Sequence, residues 1–333
     1  MQIKVSLLLA SALCVASARA QGKVRSVSKS DTSVVQREVG SAVVAAKRRT
    51  LNPQQVESSV QQREIHHALG QSLATMLEDV SGMSAVRSGT NVAEPVIHGM
   101  YGNRILLVND GAVLTGQQWG NDHAPELDKN ASNVVRIIKG AQSVRYGSDA
   151  LGGVILMADP PLPYDAQRLS GNATALYATN GRMGAMNVQL QGRMPWFKGM
   201  AWHLQSSLAN AGDRHTADYM LNNTGSREKN LSAALGYKRG AFEAKVNYKF
   251  FNQSFGVLRA AQMGSEDLLL ERIALGRPLV VTPFLRTIDV PRQEVLHHTA
   301  ALKLHIDAGH WGSFQWQSTF QKDDRSEHRL RRT

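Results

Sequence analysis

The residues able to do chemistry are an uneven set: eleven His and 27 Asp plus Glu stand beside a single Cys, Cys14. One thiol builds no disulfide framework, no Cys-cluster zinc site and no iron–sulfur centre, which leaves imidazole and carboxylate as the ligands open to a metal. Two His pairs, His66–His67 and His297–His298, are sequence neighbours. Neighbours on a helix or strand point apart, so both pairs read as structural rather than as convergent ligands. Asp122–His123 differs, because Gly120 and Pro125 flank it as loop residues, and in a loop adjacent side chains can turn to one ion. Taken alone, the same two residues also suit a turn-capping Asp and a locally bonded His. His203 and His215-Thr-Ala-Asp218 are weaker candidates.

Covalent catalysis has no constellation here. There is no Gly-x-Ser-x-Gly elbow, no His-Glu-x-x-His and no Walker loop, and the Gly-rich run from Gly147 to Gly153 follows Tyr146 in a turn rather than opening a phosphate-binding helix. An enzyme is not expected. The formal charge of +11 would suit nucleic acid, but Lys and Arg are dispersed, with dense runs only at Lys47-Arg48-Arg49 and Arg329–Arg332. A nucleic-acid partner is not expected either.

The elements that must position these residues fall into four stretches. Residues 1–20 combine Lys4, an apolar run from Val5 to Ala16 and the small-x-small ending Ala18-Arg19-Ala20, the pattern of a secretory signal peptide cleaved after Ala20. Bulky Leu13 before Cys14 argues against a lipoprotein signal. Residues 21–64 are polar and Ser/Gln/Val-rich and read as a flexible tail. Between 65 and 163, Leu69, Leu73, Met76 and Leu77 predict a helix over 66–79, and compact apolar runs predict strands over 104–109, 134–139 and 153–157, the first closed by the tight-turn pair Asp110-Gly111. Together they describe a small α/β domain ended by Pro160-Pro161-Leu162-Pro163.

From 164 onward the period changes to two. Segments 169–179, 184–193, 201–209, 231–238, 242–251, 299–307 and 312–321 alternate weakly between Gly, Asn and Asp turns. Trp196, Phe197, Trp202, Tyr237, Tyr248, Trp311 and Trp316 lie near their ends. The alternation fits a membrane barrel and a soluble sandwich alike, and the aromatics fit interfacial girdles or a packed core. Residues 254–298, with Leu268-Leu269-Leu270 and several Pro, read as a long surface loop with a helical turn. No later stretch supplies about 18 consecutive apolar residues, so a β-barrel is the only spanning structure open to the chain.

Four runs resemble the plug domain of TonB-dependent outer-membrane receptors: Leu73-Ala-Thr-Met-Leu-Glu-Asp-Val-Ser-Gly-Met83, Pro95-Val-Ile-His-Gly99, Asn103-Arg-Ile-Leu-Leu-Val-Asn-Asp-Gly111 and Ile138-Lys-Gly-Ala-Gln-Ser-Val-Arg-Tyr-Gly-Ser-Asp-Ala-Leu-Gly-Gly-Val-Ile155. Their order and spacing match the family over about residues 65–160. His98 stands where the family commonly has Arg, and Ile138-Lys139 where a Glu-Val pair is common. The resemblance implies a plug inside an antiparallel transmembrane β-barrel in the outer membrane, of which 164–333 are the first part. The family closes about 22 strands around its plug. The 168 residues after Asp165 allow roughly 8, so the chain is expected to be a fragment.

The resemblance also implies partners and cargo. Asp31-Thr32-Ser33-Val34-Val35 looks like the family's energy-coupling box, an extended segment that adds as a strand to the TonB protein. Residues 36–64 could extend about 90 Å at about 3.3 Å each. The pair Asp122–His123 resembles the branch associated with uptake of zinc and related metals, whose corresponding plug residues contribute to the metal site, and Glu126 is a further contact candidate. Imidazole and carboxylate suit zinc, and the missing ligands would come from the barrel wall or outer loops. No cofactor is held permanently; zinc or an iron chelate is cargo. The rival cargo is haem or an iron–siderophore, for which Trp119 and Arg104 are the expected contacts, and the other alternative is a plug fragment that transports nothing.

Overall fold

The computed structural model describes residues 56–114, 123–165, 169–258 and 266–329. The first elements are β1 (Val56–Gln61), α1 (Gln62–His67), α2 (Leu73–Leu77), the hairpin of β2 (Met83–Ser88) and β3 (Val92–Ile97), then β4 (Ile105–Asn109), β5 (Ala112–Val113), β6 (Val134–Lys139) and β7 (Gly153–Ala158). Five of these strands form one sheet in the order β1-β6-β7-β4-β5, with only the β4–β7 pair parallel. Ile65, Leu73, Leu77, Ile97, Val135, Ile137 and Ile155 fill the core between this sheet and the helices. The strands expected over 104–109, 134–139 and 153–157 are present almost to the residue.

Two expectations are corrected here. The helix over 66–79 is two short helices, because Gly70 adopts φ 82° and lies so close to the second part of the chain that a Cβ would stand 2.7 Å from Met183 and 2.9 Å from Leu176. Ser72 then caps α2, its hydroxyl accepting from the Thr75 amide at 3.1 Å. The tail is not featureless up to residue 64: Val56–Gln61 is an edge strand, antiparallel to β6 with Val60 opposite Val135. The β2–β3 hairpin, Met83 opposite Ile97, sits outside the main sheet and carries Pro95 in a position where no ladder bond is required.

After Pro160 the chain forms β8 (Ser170–Ala178), β9 (Met183–Arg193), β10 (Met200–Ala211), the two-residue strands β11 (Arg214–His215) and β12 (Met220–Leu221), then β13 (Ser226–Arg239), β14 (Phe242–Gly256), α3 (Glu266–Leu275), β15 (Arg292–Asp307) and β16 (Ser313–His328). The seven long strands make one sheet of consecutive antiparallel neighbours from β8 to β16, a curved wall that is not closed on itself among the described residues. The span 254–298 is only in its middle a loop. Strands β14 and β15 reach to Gly256 and back to Arg292, and α3 supplies the helical turn.

The polarity of this wall decides between barrel and sandwich. Asn187, Gln189, His203, Gln205, Ser207, Asn230, Ser232, Asn247, Gln293, His297 and Thr299 are buried on the inner face. Met186, Leu190, Leu204, Leu208, Leu231, Leu235 and Val246 are exposed on the outer one. A sandwich would bury the apolar set; a lipid-facing barrel shows it. Trp196 and Trp311 are 86% and 82% exposed, so they do not belong to a core. With Phe197 and Phe314 they stand at the rim of short connections, where an interfacial girdle belongs. No helix among the described residues is long and apolar enough to cross a membrane.

Candidate functional site

The small domain meets the polar face of the wall through charged and amide side chains. The pair Asp110-Gly111 closes the β4–β5 hairpin with φ of 49° and 85°, both left-handed. The left-handed turn calls for glycine at 111, which lies against the flexible end of the Gln317 side chain of β16. The turn presents the Asp110 carboxylate to Lys303 at 2.8 Å, Lys245 at 3.4 Å and the Asn247 amide at 2.6 Å. Burial alone would push this carboxyl up, but Lys245, Lys249 and Lys303 outweigh it and hold it well below the usual carboxylate range. Lys249 bridges Asn109 and Asp159 beside it.

A second contact is built by residues 123–132. Asp128 accepts from the Asn130 amide at 2.9 Å, which shapes a short 3-10 turn, and its other oxygen accepts from Gln205 at 2.8 Å and Ser207 at 2.7 Å on β10. Gln189 donates to the Asn130 carbonyl at 2.8 Å. Lys129 is buried in this turn and burial lowers its pKa, partly offset by Asp128 and Glu228.

Upstream of that turn lie the predicted site residues. His123 is buried, and its Nε2 stands 2.5 Å from Glu327 Oε1 on β16. It also lines a cavity of about 30 Å³ together with Glu94. Glu126 is buried against β15 and β16: Arg325 donates from Nε to Oε1 at 2.9 Å, while Oε2 faces His297 Nδ1 at 3.6 Å. Asp323 lies directly across from His297 in the β15–β16 register. Burial pushes the Glu126 carboxyl up to about 7, with His297 drawing it down and Asp323 raising it further.

His123 and Glu126 are thus brought to one boundary. Arg104 is not: it is exposed in the 3-10 turn before β4, where its carbonyl accepts from the Gly152 amide at 2.7 Å. Asp31, Thr32, Ser33, Val34 and Val35, and also Trp119 and Asp122, lie outside the described residues. The His297–His298 pair does point apart, His298 turning outward to bond Tyr248 Oη at 2.7 Å. Reading it as structural nevertheless missed His297, which the fold carries to Glu126. Arg325, Glu327 and Asp323 were missed as well; their alternate spacing on one strand was the available signal.

Comparison with known proteins now decides the small domain. A family model described as the TonB-dependent Receptor Plug Domain matches residues 49–154. These residues match the plug domain of TonB-dependent receptors. Within the chain, 82 residues are 33% identical to a hemin receptor of Yersinia pestis, covering 25% of this chain and 12% of that one. The plug and wall together are similar to the FrpB iron transporter of Neisseria meningitidis, with a TM-score of 0.63 at 10% identity over 82% of this chain and 41% of that one. They are similar to the ferric enterobactin receptor of Pseudomonas aeruginosa, at 0.61 and 13% over 81% and 41%. The siderophore receptor PirA of Acinetobacter baumannii gives 0.60 and 13% over 80% and 40%. At these identities the likeness is one of fold: a plug seated on the polar face of an antiparallel wall. The chain spans about two fifths of the length of these solved receptors.

Proposed function

We propose that this chain is the plug and leading wall of an outer-membrane receptor that imports a metal, as a bare ion such as zinc or as a chelate, with energy delivered by a TonB-type protein. The observation that carries this reading is a plug held against a lipid-facing wall by polar and charged contacts, with the buried imidazole of His123 at that boundary beside carboxylates of the plug and wall. Contacts of this kind can be exchanged for water when the plug is pulled. In this reading the rim with the long connections, 212–225 and 257–291, faces the outside, and the tail with Asp31–Val35 reaches through the periplasm to its partner.

Zinc suits the Asp122–His123 pair because a borderline cation accepts imidazole and carboxylate together. The similarity to the hemin receptor favours a second cargo, haem or an iron chelate. The two are separated by uptake in cells. The intact receptor, expressed in a strain stripped of its own outer-membrane metal receptors, should restore growth in zinc-depleted medium, and a deletion of residues 31–35 should abolish the rescue. The variant H123A should lower zinc uptake at least tenfold with the protein still present in the outer membrane. Growth restored by haem or a ferric siderophore alone, with H123A indifferent, would establish the second cargo and reject the first. No box-dependent uptake of any of them would reject transport.

A further inference from the structure

We propose that Glu126, His297 and Asp323 form a divalent-cation site of zinc type that joins plug to wall, with one ligand from the plug and two from neighbouring wall strands. The three residues each offer one ligand atom, and these atoms lie within 4.8 Å of one another. His297 and Asp323 are cross-strand partners of β15 and β16, and Glu126 approaches them from the plug. This set is separate from Asp122–His123, and the inference holds whether the receptor carries an ion or a chelate, since it is argued from the ligand geometry.

The spacing is what distinguishes a metal site from an ordinary polar contact. Glu126 Oε2 and His297 Nδ1 stand 3.6 Å apart, too far for a good hydrogen bond. Two ligands on one tetrahedral zinc, with bonds of about 2.1 Å, stand about 3.4 Å apart. Both groups are otherwise unsatisfied. His297 is 3% exposed, and neither of its ring nitrogens has a hydrogen-bond partner among the described residues; nor has Glu126 Oε2. A buried imidazole nitrogen and a buried carboxylate oxygen facing each other at 3.6 Å without a hydrogen bond are costly unless something occupies the gap. Glu126 and His297 both border a cavity of about 20 Å³, enough for one occupant the size of a water or an ion.

Charge agrees. Arg325 bonds Glu126 through Oε1 and leaves Oε2 directed at His297, so the oxygen facing the gap stays open to a cation, which would also favour the ionised carboxylate. Imidazole in the set favours zinc, cobalt or nickel over magnesium and calcium, which take oxygen. Three protein ligands leave a fourth position for water, the arrangement of a site that exchanges its ion rather than a closed structural one. An ion held there ties β15 and β16 to the plug.

The test is metal binding by the intact receptor purified in detergent. Zinc chloride should raise its thermal midpoint, and cobalt chloride should give the visible absorption of a four- or five-coordinate N/O site. Both signals should persist in the double variant D122A/H123A and, in that background, fall at least tenfold in apparent affinity on adding H297Q or D323N, with E126Q behaving likewise. The gel mobility shift on heating checks that each variant still forms a barrel. Signals retained in H297Q and D323N, or lost only in D122A/H123A, would overturn the site. No metal-dependent signal in the parent would do the same and leave water as the occupant. Because zinc binding is read apart from uptake, a receptor that imports only haem would reject the zinc cargo and leave this site standing.

Discussion

At the scale of single residues, the plug is held by a few buried polar groups whose partners come from the wall. Asp110 is the clearest, with Lys303, Lys245 and Asn247 converging on one oxygen. Replacing it by Asn leaves the half-buried Lys303 without its counter-charge while Lys245 keeps Asp159 at 4.0 Å, a loss of about 1–3 kcal/mol. The variant D110N should lower the thermal midpoint of the receptor by several degrees, whereas K303A alone should do less, because Lys245 remains. The sign of the pH dependence follows from the same contacts. A carboxyl held below its unfolded value stabilises the fold at any pH above that value, about 3.9, and the stabilisation is lost as pH falls toward the depressed native value. The gap in thermal midpoint between parent and D110N should therefore be constant from pH 5 to 8 and close below about pH 4. A gap that widened in acid would contradict the assignment. Gly111 is sensitive for a different reason, being left-handed and pressed against Gln317. G111A should cost about 1–3 kcal/mol in urea unfolding, since alanine is strained at the left-handed φ of this turn while the Gln317 side chain can move aside.

At the scale of elements, legibility followed how local the cause of each element is. The strands β4, β6 and β7 are runs of Ile, Leu and Val bounded by turn residues, and buried on both faces they could be read directly. β1 could not, because Val56-Glu-Ser-Ser-Val-Gln61 is a strand only by pairing with β6, more than seventy residues later. The wall strands were recognised but cut short. Their inner face carries Asn, Gln, Ser and His, which in isolation resemble a turn or a loop end, so β15 was read from residue 299 although it begins at Arg292. The metal-type cluster was least legible of all: Glu126 and Asp323 are almost two hundred residues apart, and no spacing rule joins them. The inverted polarity makes its own prediction. A charge on the outer face, as in L204K, should destabilise the barrel in lipid by about 2–4 kcal/mol, and an equal change at the rim, as in W311K, by about 1 kcal/mol or less. Equal effects in bilayer-reconstituted protein would mean that the outer face does not meet lipid.

At the scale of the whole molecule, the plug has an apolar core of its own and a polar boundary with the wall. Ile65, Leu77, Ile97, Val135 and Ile155 lie inside the plug, while Asp110, Asp128, Gln189, Gln205 and Lys249 lie between plug and wall. The two are therefore expected to come apart before the plug itself unfolds. Hydrogen exchange on the intact receptor should show amides of β4, β6 and β7 protected under conditions in which the 123–132 segment already exchanges. Simultaneous loss of protection in both would show the plug and boundary to be one cooperative unit. The wall's polar inner surface has a thermal consequence. Wetting apolar surface raises heat capacity and wetting polar surface lowers it. Sliding this plug away from this wall should thus leave almost no positive heat-capacity change, whereas melting the plug core should leave a large one. A movement with that signature keeps nearly the same enthalpy from cold to warm water, so the transport stroke proposed above would keep its grip across a wide range of growth temperatures without retuning.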